Sequence, residues 1–76
     1  MGPKLSPQPC QEKHRLANQI RTTMNEILML QARQMEAAAA GNFRISEYLK
    51  QRIRHSRERK DSMLELYKDH VSRHSC

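Results

Sequence analysis

Apolar residues recur at helical spacing along two stretches of the chain. In the first stretch, which Leu30 flanks, the repeating positions are Leu16, Ile20, Met24, Ile27, Leu28, Met35 and Ala38. In the second, which Tyr48 and Leu66 flank, they are Ile45, Leu49, Ile53, Met63, Leu64, Tyr67 and Val71. Intervals of three and four residues place side chains on one face of an α-helix. The pattern therefore predicts two amphipathic helices.

The dipeptide Gly41-Asn42 separates the two patterns. Glycine readily takes the left-handed conformation that ends a helix, and asparagine is a favoured N-cap for the helix that follows. We therefore expect helix 1 over about residues 10–40, a turn at residues 41–42 and helix 2 over about residues 43–73.

The first residues of the chain differ from the rest, because Pro3, Pro7 and Pro9 disfavour a continuous helix there. Residues 1–11 are expected to form a flexible tail, and residues 12–76 the helical unit. Two long helices joined by so short a turn must fold back on each other. The predicted fold is all-α, an antiparallel two-helix hairpin with coiled-coil packing.

One partner helix does not cover the whole apolar arc of helix 1, and a hairpin has a single seam with no third layer. Chains of this size often gain stability by association. We expect self-association, with dimerisation into a four-helix bundle, or binding to another protein; a monomeric hairpin with one exposed side is the alternative. The predicted interaction face comprises Leu16, Ile20, Met24, Ile27, Leu28, Leu49, Ile53, Met63 and Tyr67.

Composition adds a strongly basic character, since 14 Lys and Arg against 8 Asp and Glu give the 76-residue chain a net charge of +6. Six of these cations fall within residues 50–60. Helical spacing places three of them on one outward ridge, called the basic ridge below: Lys50, Arg54 and Arg57.

The basic ridge could follow a phosphate backbone, so a protein that associates with nucleic acid is an alternative function. An acidic protein partner is a further alternative. Against nucleic acid, no aromatic residues interleave with the ridge to stack on bases. Arg54 and Glu58, and likewise Arg57 and Asp61, stand four residues apart and could pair with each other on a solvated face.

Cysteine and histidine residues concentrate near the two chain ends. Cys10 and His14 are four residues apart, as are His70 and His74, and Cys76 follows. Folding about the turn would bring these pairs together at the open end of the hairpin, where thiolate and imidazole ligands suit zinc. A zinc-clipped structural hairpin is therefore another alternative. Exposed thiols, or a disulfide between Cys10 and Cys76, would explain the same residues without metal.

No pattern indicates an enzyme. The sequence lacks a glycine-rich phosphate loop and an H-E-x-x-H motif, and a two-helix hairpin offers no pocket to enclose a substrate. Two-helix phosphatases carry an S-Q-E-L-D signature, from which residues 46–50, Ser-Glu-Tyr-Leu-Lys, depart at the acidic position. We expect a noncatalytic interaction or assembly module without a cofactor.

The expected location is the cytoplasm, with no membrane partner. No apolar run approaches the roughly 20 residues that a membrane span requires. The N-terminus lacks the apolar segment of a signal peptide. Two cysteines at opposite ends of the chain do not form a disulfide framework, so they are expected to stay reduced.

The second half of the chain carries a resemblance. Its residues are the alanine-rich turn at 36–43, the charged segment at 57–61, the Leu66-Tyr67 pair, and the spacing of His70, His74 and Cys76. With these features residues 35–76 resemble short, uncharacterised bacterial proteins that form helical hairpins. The resemblance implies the same fold and no assigned activity.

Overall fold

The computed structural model describes residues 9–74, which form two α-helices joined by a tight turn. Helix α1 spans Pro9–Ala39 and helix α2 spans Phe43–His74. The chain reverses between them, and the two helices pack against each other along their length. This confirms the predicted all-α helical hairpin.

Helix α1 begins within one residue of the predicted helix start at about residue 10, but inside the segment that was also assigned to the tail. The helix begins at Pro9, so residues 9–11, which were expected to belong to the tail, are helical. Proline is well suited to the first turn of a helix, where its missing N–H has no intrahelical partner to lose. The rest of the predicted tail, residues 1–8, lies outside the described residues.

The turn satisfies the backbone groups at the end of α1 and the start of α2. The N–H of Asn42 donates to the carbonyl of Ala37 at 2.8 Å, and the N–H of Gly41 to that of Ala38 at 3.0 Å. Gly41 has a φ of 78°, so this is a Schellman motif with glycine at the left-handed position. The side chain of Asn42 then accepts the N–H of Ile45 at 3.3 Å and caps α2. The predicted roles of Gly41 and Asn42 are confirmed.

Gly41→Ala is expected to lower the free energy of unfolding by about 1 kcal/mol, because an L side chain disfavours positive φ. No atom lies within 4 Å of the position that a new Cβ would take, so the cost is conformational and not steric. Urea unfolding followed by far-ultraviolet circular dichroism measures the change. Gly41→Asn is the control and should lose less, since asparagine tolerates this conformation. Equal midpoints for Gly41→Ala and the parent protein would contradict the left-handed turn.

The buried residues form a seam with a regular repeat. Their positions alternate in steps of four and three, which keeps one stripe of each helix facing the other. The buried positions of α1 are Leu16, Ile20, Thr23, Ile27 and Leu30, and those of α2 are Ser46, Leu49, Ile53 and Ser56. Four of them form the apolar core, in the half of the hairpin nearer the turn: Ile27, Leu30, Leu49 and Ile53.

The seam lies to one side of the predicted stripe of α1. Leu30, predicted to flank the stripe, belongs to the core, whereas Met24 and Leu28 are 49% and 62% exposed. Repeated steps of four drift around a helix of 3.6 residues per turn. The stripe that runs through Met24 and Leu28 therefore leaves the line that α2 covers, and Thr23 takes the buried position instead.

Polar residues occupy several positions of the seam. Near the turn, the side-chain amide of Gln34 donates to the hydroxyl of Ser46 at 2.9 Å, which links the two helices. Ser56 of α2 is also buried in the seam. No buried side-chain nitrogen or oxygen in the described residues lacks a hydrogen-bond partner.

Candidate interaction surface

The two sides of the hairpin that flank the seam differ in chemistry. One side, called the apolar side below, is centred on Met24 and Leu28 of α1 and on Leu64 and Tyr67 of α2. The opposite side, called the polar side, is centred on the cross-helix contacts of Glu26 with Arg52 and Arg59.

The apolar side contains two shallow depressions that meet at Met24 and Leu28. The first lies between these residues and Leu64 and Tyr67, and its floor includes Ala17 and Ile20. The second continues toward the turn and is lined by Met24, Leu28, Ile27, Gln31, Arg57 and Lys60. The two depressions form one continuous surface with side chains from both helices.

Cations border this surface. Arg21, Arg57 and Lys60 line the two depressions, and no aspartate or glutamate does. The guanidinium of Arg57 has no carboxylate within ion-pair distance in the described part of the chain. The ammonium of Lys60 lies 3.4 Å from Asp61, which is itself exposed. The apolar side thus consists of apolar side chains with a border of positively charged groups.

The centre of the polar side carries a cluster of paired charges. The carboxylate of Glu26 accepts from Arg59 at 3.3 Å and lies 3.8 Å from Arg52, so one acid of α1 contacts two bases of α2. Exposed pairs of this kind are screened by solvent and contribute little to stability. Four carboxylates line depressions on this side, and they are Glu12, Glu26, Glu58 and Asp69.

The structure divides the predicted interaction face into covered and open residues. The other helix covers five of its nine members: Leu16, Ile20, Ile27, Leu49 and Ile53. Met63 and Tyr67 are half-buried, while Met24 and Leu28 are exposed. The part that a partner could reach is therefore centred on the apolar side. This side contains Met24, Leu28 and Tyr67 of the predicted face, together with Leu64, which that prediction did not include.

The basic ridge is exposed along α2. Lys50 contacts Glu47 at 3.2 Å. Arg54 and Arg57 pair with no acid of the described chain, and in particular not with the acid four residues further on, as the solvated-face alternative had it. These two guanidinium groups are consequently available to an external anion.

The predicted zinc ligands are only partly described. His14 is exposed and His70 is half-buried at the open end. Cys10 and His74 lie in the helices, but their side chains are outside the description, as is the whole of Cys76. Among the described side chains, no three potential ligands converge. Zinc binding by these five residues stays a prediction.

Glu12 is the carboxylate nearest this open end. A hydrogen bond from Arg15 lowers the pKa of Glu12, and the charge of nearby His70 acts in the same direction. The ion pair is therefore fully formed above the usual pKa of glutamate and is lost as the pH falls through the lowered pKa. Glu12 stays ionised at neutral pH and keeps an acid beside His70.

Comparisons with known proteins give this chain neither a family nor a function. Neither α1 nor α2 contains a stretch that is long and apolar enough to cross a bilayer. The resemblance to bacterial hairpin proteins stays a prediction. No family model, curated protein or solved structure matched this chain.

Proposed function

We propose that this protein is a small noncatalytic interaction module, built as a coiled-coil hairpin, which works by covering its apolar side with another protein surface. The observation that carries the proposal is the exposure of Met24 and Leu28 at the centre of that side. The hairpin has already used its buried residues to hold its own helices together. These exposed side chains are thus available for association without any rearrangement of the seam.

Covering this side would be favourable. Removing a leucine or methionine side chain from water contributes about 1.5–3 kcal/mol. A hairpin with one seam has a core worth only a few kcal/mol, so association would add a large fraction to its stability. Methionine also adapts its shape to irregular partners. A second copy, giving a four-helix bundle, and a different protein are both compatible with this mechanism.

Site-specific photocrosslinking tests the proposal with a matched pair of positions. Met24 and Met29 are methionines of the same helix with similar exposure, 49% and 58%, but only Met24 lines the apolar side. We expect a benzophenone amino acid at position 24 to give a discrete adduct in cells that express the protein, and position 29 to give none. The same adduct is expected to form when the purified protein is irradiated with the purified partner that the adduct contains.

The mass of the adduct distinguishes the two kinds of partner. A mass twice that of the chain indicates self-association, and any other mass indicates a different protein. No adduct at position 24, or equal adducts at positions 24 and 29, would contradict an interaction through the apolar side.

Association with nucleic acid is a second candidate function. The observation that favours it is the availability of Arg54 and Arg57, which lie exposed and have no carboxylate partner among the described residues. Phosphate contacts of this kind weaken steeply with salt and carry little sequence information. An oligonucleotide is therefore included as a probe in the binding experiment below.

A further inference from the structure

We propose that the occupant of the apolar side is an acidic amphipathic helix of a partner protein. Its apolar stripe would lie on Met24, Leu28, Leu64 and Tyr67, and its carboxylates would contact Arg57 and Lys60. This inference rests on the proposed function and names the chemistry of the partner.

The shape of the surface suits a third helix. Met24 and Leu28 stand one turn apart on α1, and Leu64 and Tyr67 stand about one turn apart on α2, on the two walls of one depression. A helix seated between two others presents apolar residues at intervals of three and four, which match such walls. An extended or irregular segment would leave backbone N–H and C=O groups against apolar side chains, at a cost in free energy.

The positive charge around the two depressions favours an acidic partner. Three cations and no carboxylate line the two depressions, and the carboxylates that line depressions elsewhere are on the polar side. Arg57 lacks a carboxylate partner within the described residues, while Lys60 has one exposed neighbour in Asp61. Acidic residues flanking an apolar stripe would complement this border, and such complementarity raises association rates and excludes basic partners.

A second copy fits the same surface less well. In a twofold pair formed face to face, α2 of one copy lies over either α2 or α1 of the other. In the first arrangement, a twofold axis near Arg57 and Lys60 brings these cations toward their own symmetry mates, and like charges repel across an interface. The second arrangement places Arg57 and Lys60 on Met24 and Leu28, which removes the cations from water without an anion to pair with.

Phosphate-bearing partners would use only part of this surface. A nucleic acid backbone would contact Arg57 but would leave Met24 and Leu28 exposed to water. Tyr67, the aromatic side chain of the depressions, is half-buried against the hairpin. A membrane of anionic lipids would satisfy both features, but the helical spacing of the residues on the two walls of the depression favours a helix.

Fluorescence anisotropy with designed peptides tests the proposal on the full chain. The probe is a labelled amphipathic peptide of about five helical turns, roughly 18 residues, with leucines at intervals of three and four and glutamates beside them. The matched peptide carries lysine at every glutamate position. We expect the glutamate peptide to bind at least about tenfold more tightly than the lysine peptide.

Matched variants of the protein locate the site. Leu28→Gln and Arg57→Glu are each expected to weaken binding of the glutamate peptide by about tenfold or more. The control variants, Met29→Gln and Arg33→Glu, are expected to stay within about twofold, since charge effects of exposed residues are screened with distance. Arg33 follows Glu26 by seven residues and therefore lies on the polar side. Circular dichroism checks that each variant is helical, and Arg57→Gln replaces Arg57→Glu if the latter is not.

Each other outcome overturns a specific part of the argument. Equal binding of the two peptides, with loss in Leu28→Gln, would retain an apolar interaction module and refute the acidic partner. If Arg33→Glu and Arg57→Glu weaken binding of the glutamate peptide equally, the binding depends on the net charge of the protein and not on the position of Arg57. Tighter binding of a double-stranded oligonucleotide or of phosphatidylserine vesicles would replace the helix by that ligand. Binding of neither peptide refutes this partner, while crosslinking at position 24 tests the proposed function independently.

Discussion

Ile53→Ala is expected to lower the free energy of unfolding by about 2–4 kcal/mol, as is typical when a buried isoleucine is truncated. Ile53 is 7% exposed and packs in one cluster with Ile27, Leu30 and Leu49. Alanine would remove apolar contacts and leave a cavity that two rigid helices cannot close fully. Because a single small core rarely supplies more than about 3–5 kcal/mol, the variant is expected to lose most of its stability and to unfold at a much lower urea concentration.

The control is a second isoleucine of the same helix. Ile45 is 43% exposed, so Ile45→Ala should change the free energy of unfolding by about 0.5 kcal/mol or less. Its backbone N–H, which donates to Asn42, is unaffected by the substitution. Far-ultraviolet circular dichroism during urea titration measures both variants. Comparable losses at positions 45 and 53 would show that the seam has been placed on the wrong face of α2.

The double variant Thr23→Val, Ser56→Ala is expected to stabilise the hairpin by about 1–2 kcal/mol. Thr23 and Ser56 are buried at 3% and 7% exposure and lie in the same region of the seam, where Arg59 borders both. Burying a hydroxyl costs free energy that its hydrogen bonds only partly return. Replacing both groups by apolar ones of similar size removes that cost.

A surface double variant isolates the burial effect. Thr22 and Ser62 are exposed neighbours on the same helices, so Thr22→Val, Ser62→Ala makes the same chemical change without changing a buried group. We expect this control to stay within about 0.5 kcal/mol of the parent protein. Urea midpoints compare the two double variants. A loss of stability at positions 23 and 56 would mean that their hydroxyls contribute more through hydrogen bonds than they cost in desolvation.

Short-range sequence patterns predicted the two helices and the turn of the hairpin. The recurrence of apolar residues predicted both helices, and Gly41-Asn42 predicted the turn, because helix propensity and capping act within a few residues of sequence. Pro9 shows where this reasoning was incomplete. The same residue that interrupts a helix interior is well accommodated at its first turn, so its position within the element decides its effect.

Short-range sequence patterns did not predict which apolar residues lie in the seam and which lie on the open surface. Met24, Leu28 and Leu30 are all large apolar residues on a wide arc, and hydropathy alone does not say which of them α2 will cover. Thr23 is more polar than any of them and yet is almost fully buried. When two helices pack against each other, the residues at alternating steps of four and three are buried between them, even where one of these residues is polar.

Two amphipathic helices, the turn between them and a basic α2 follow from the sequence, since each depends on residue types and on spacing within a few turns. The tertiary structure alone decided which side is apolar and which is polar. Glu26 meets Arg59 across 33 positions of sequence, and Met24 meets Leu64 and Tyr67 only in the folded hairpin. Such neighbours are separated by a chain reversal, so their contact depends on the register in which the two helices pack.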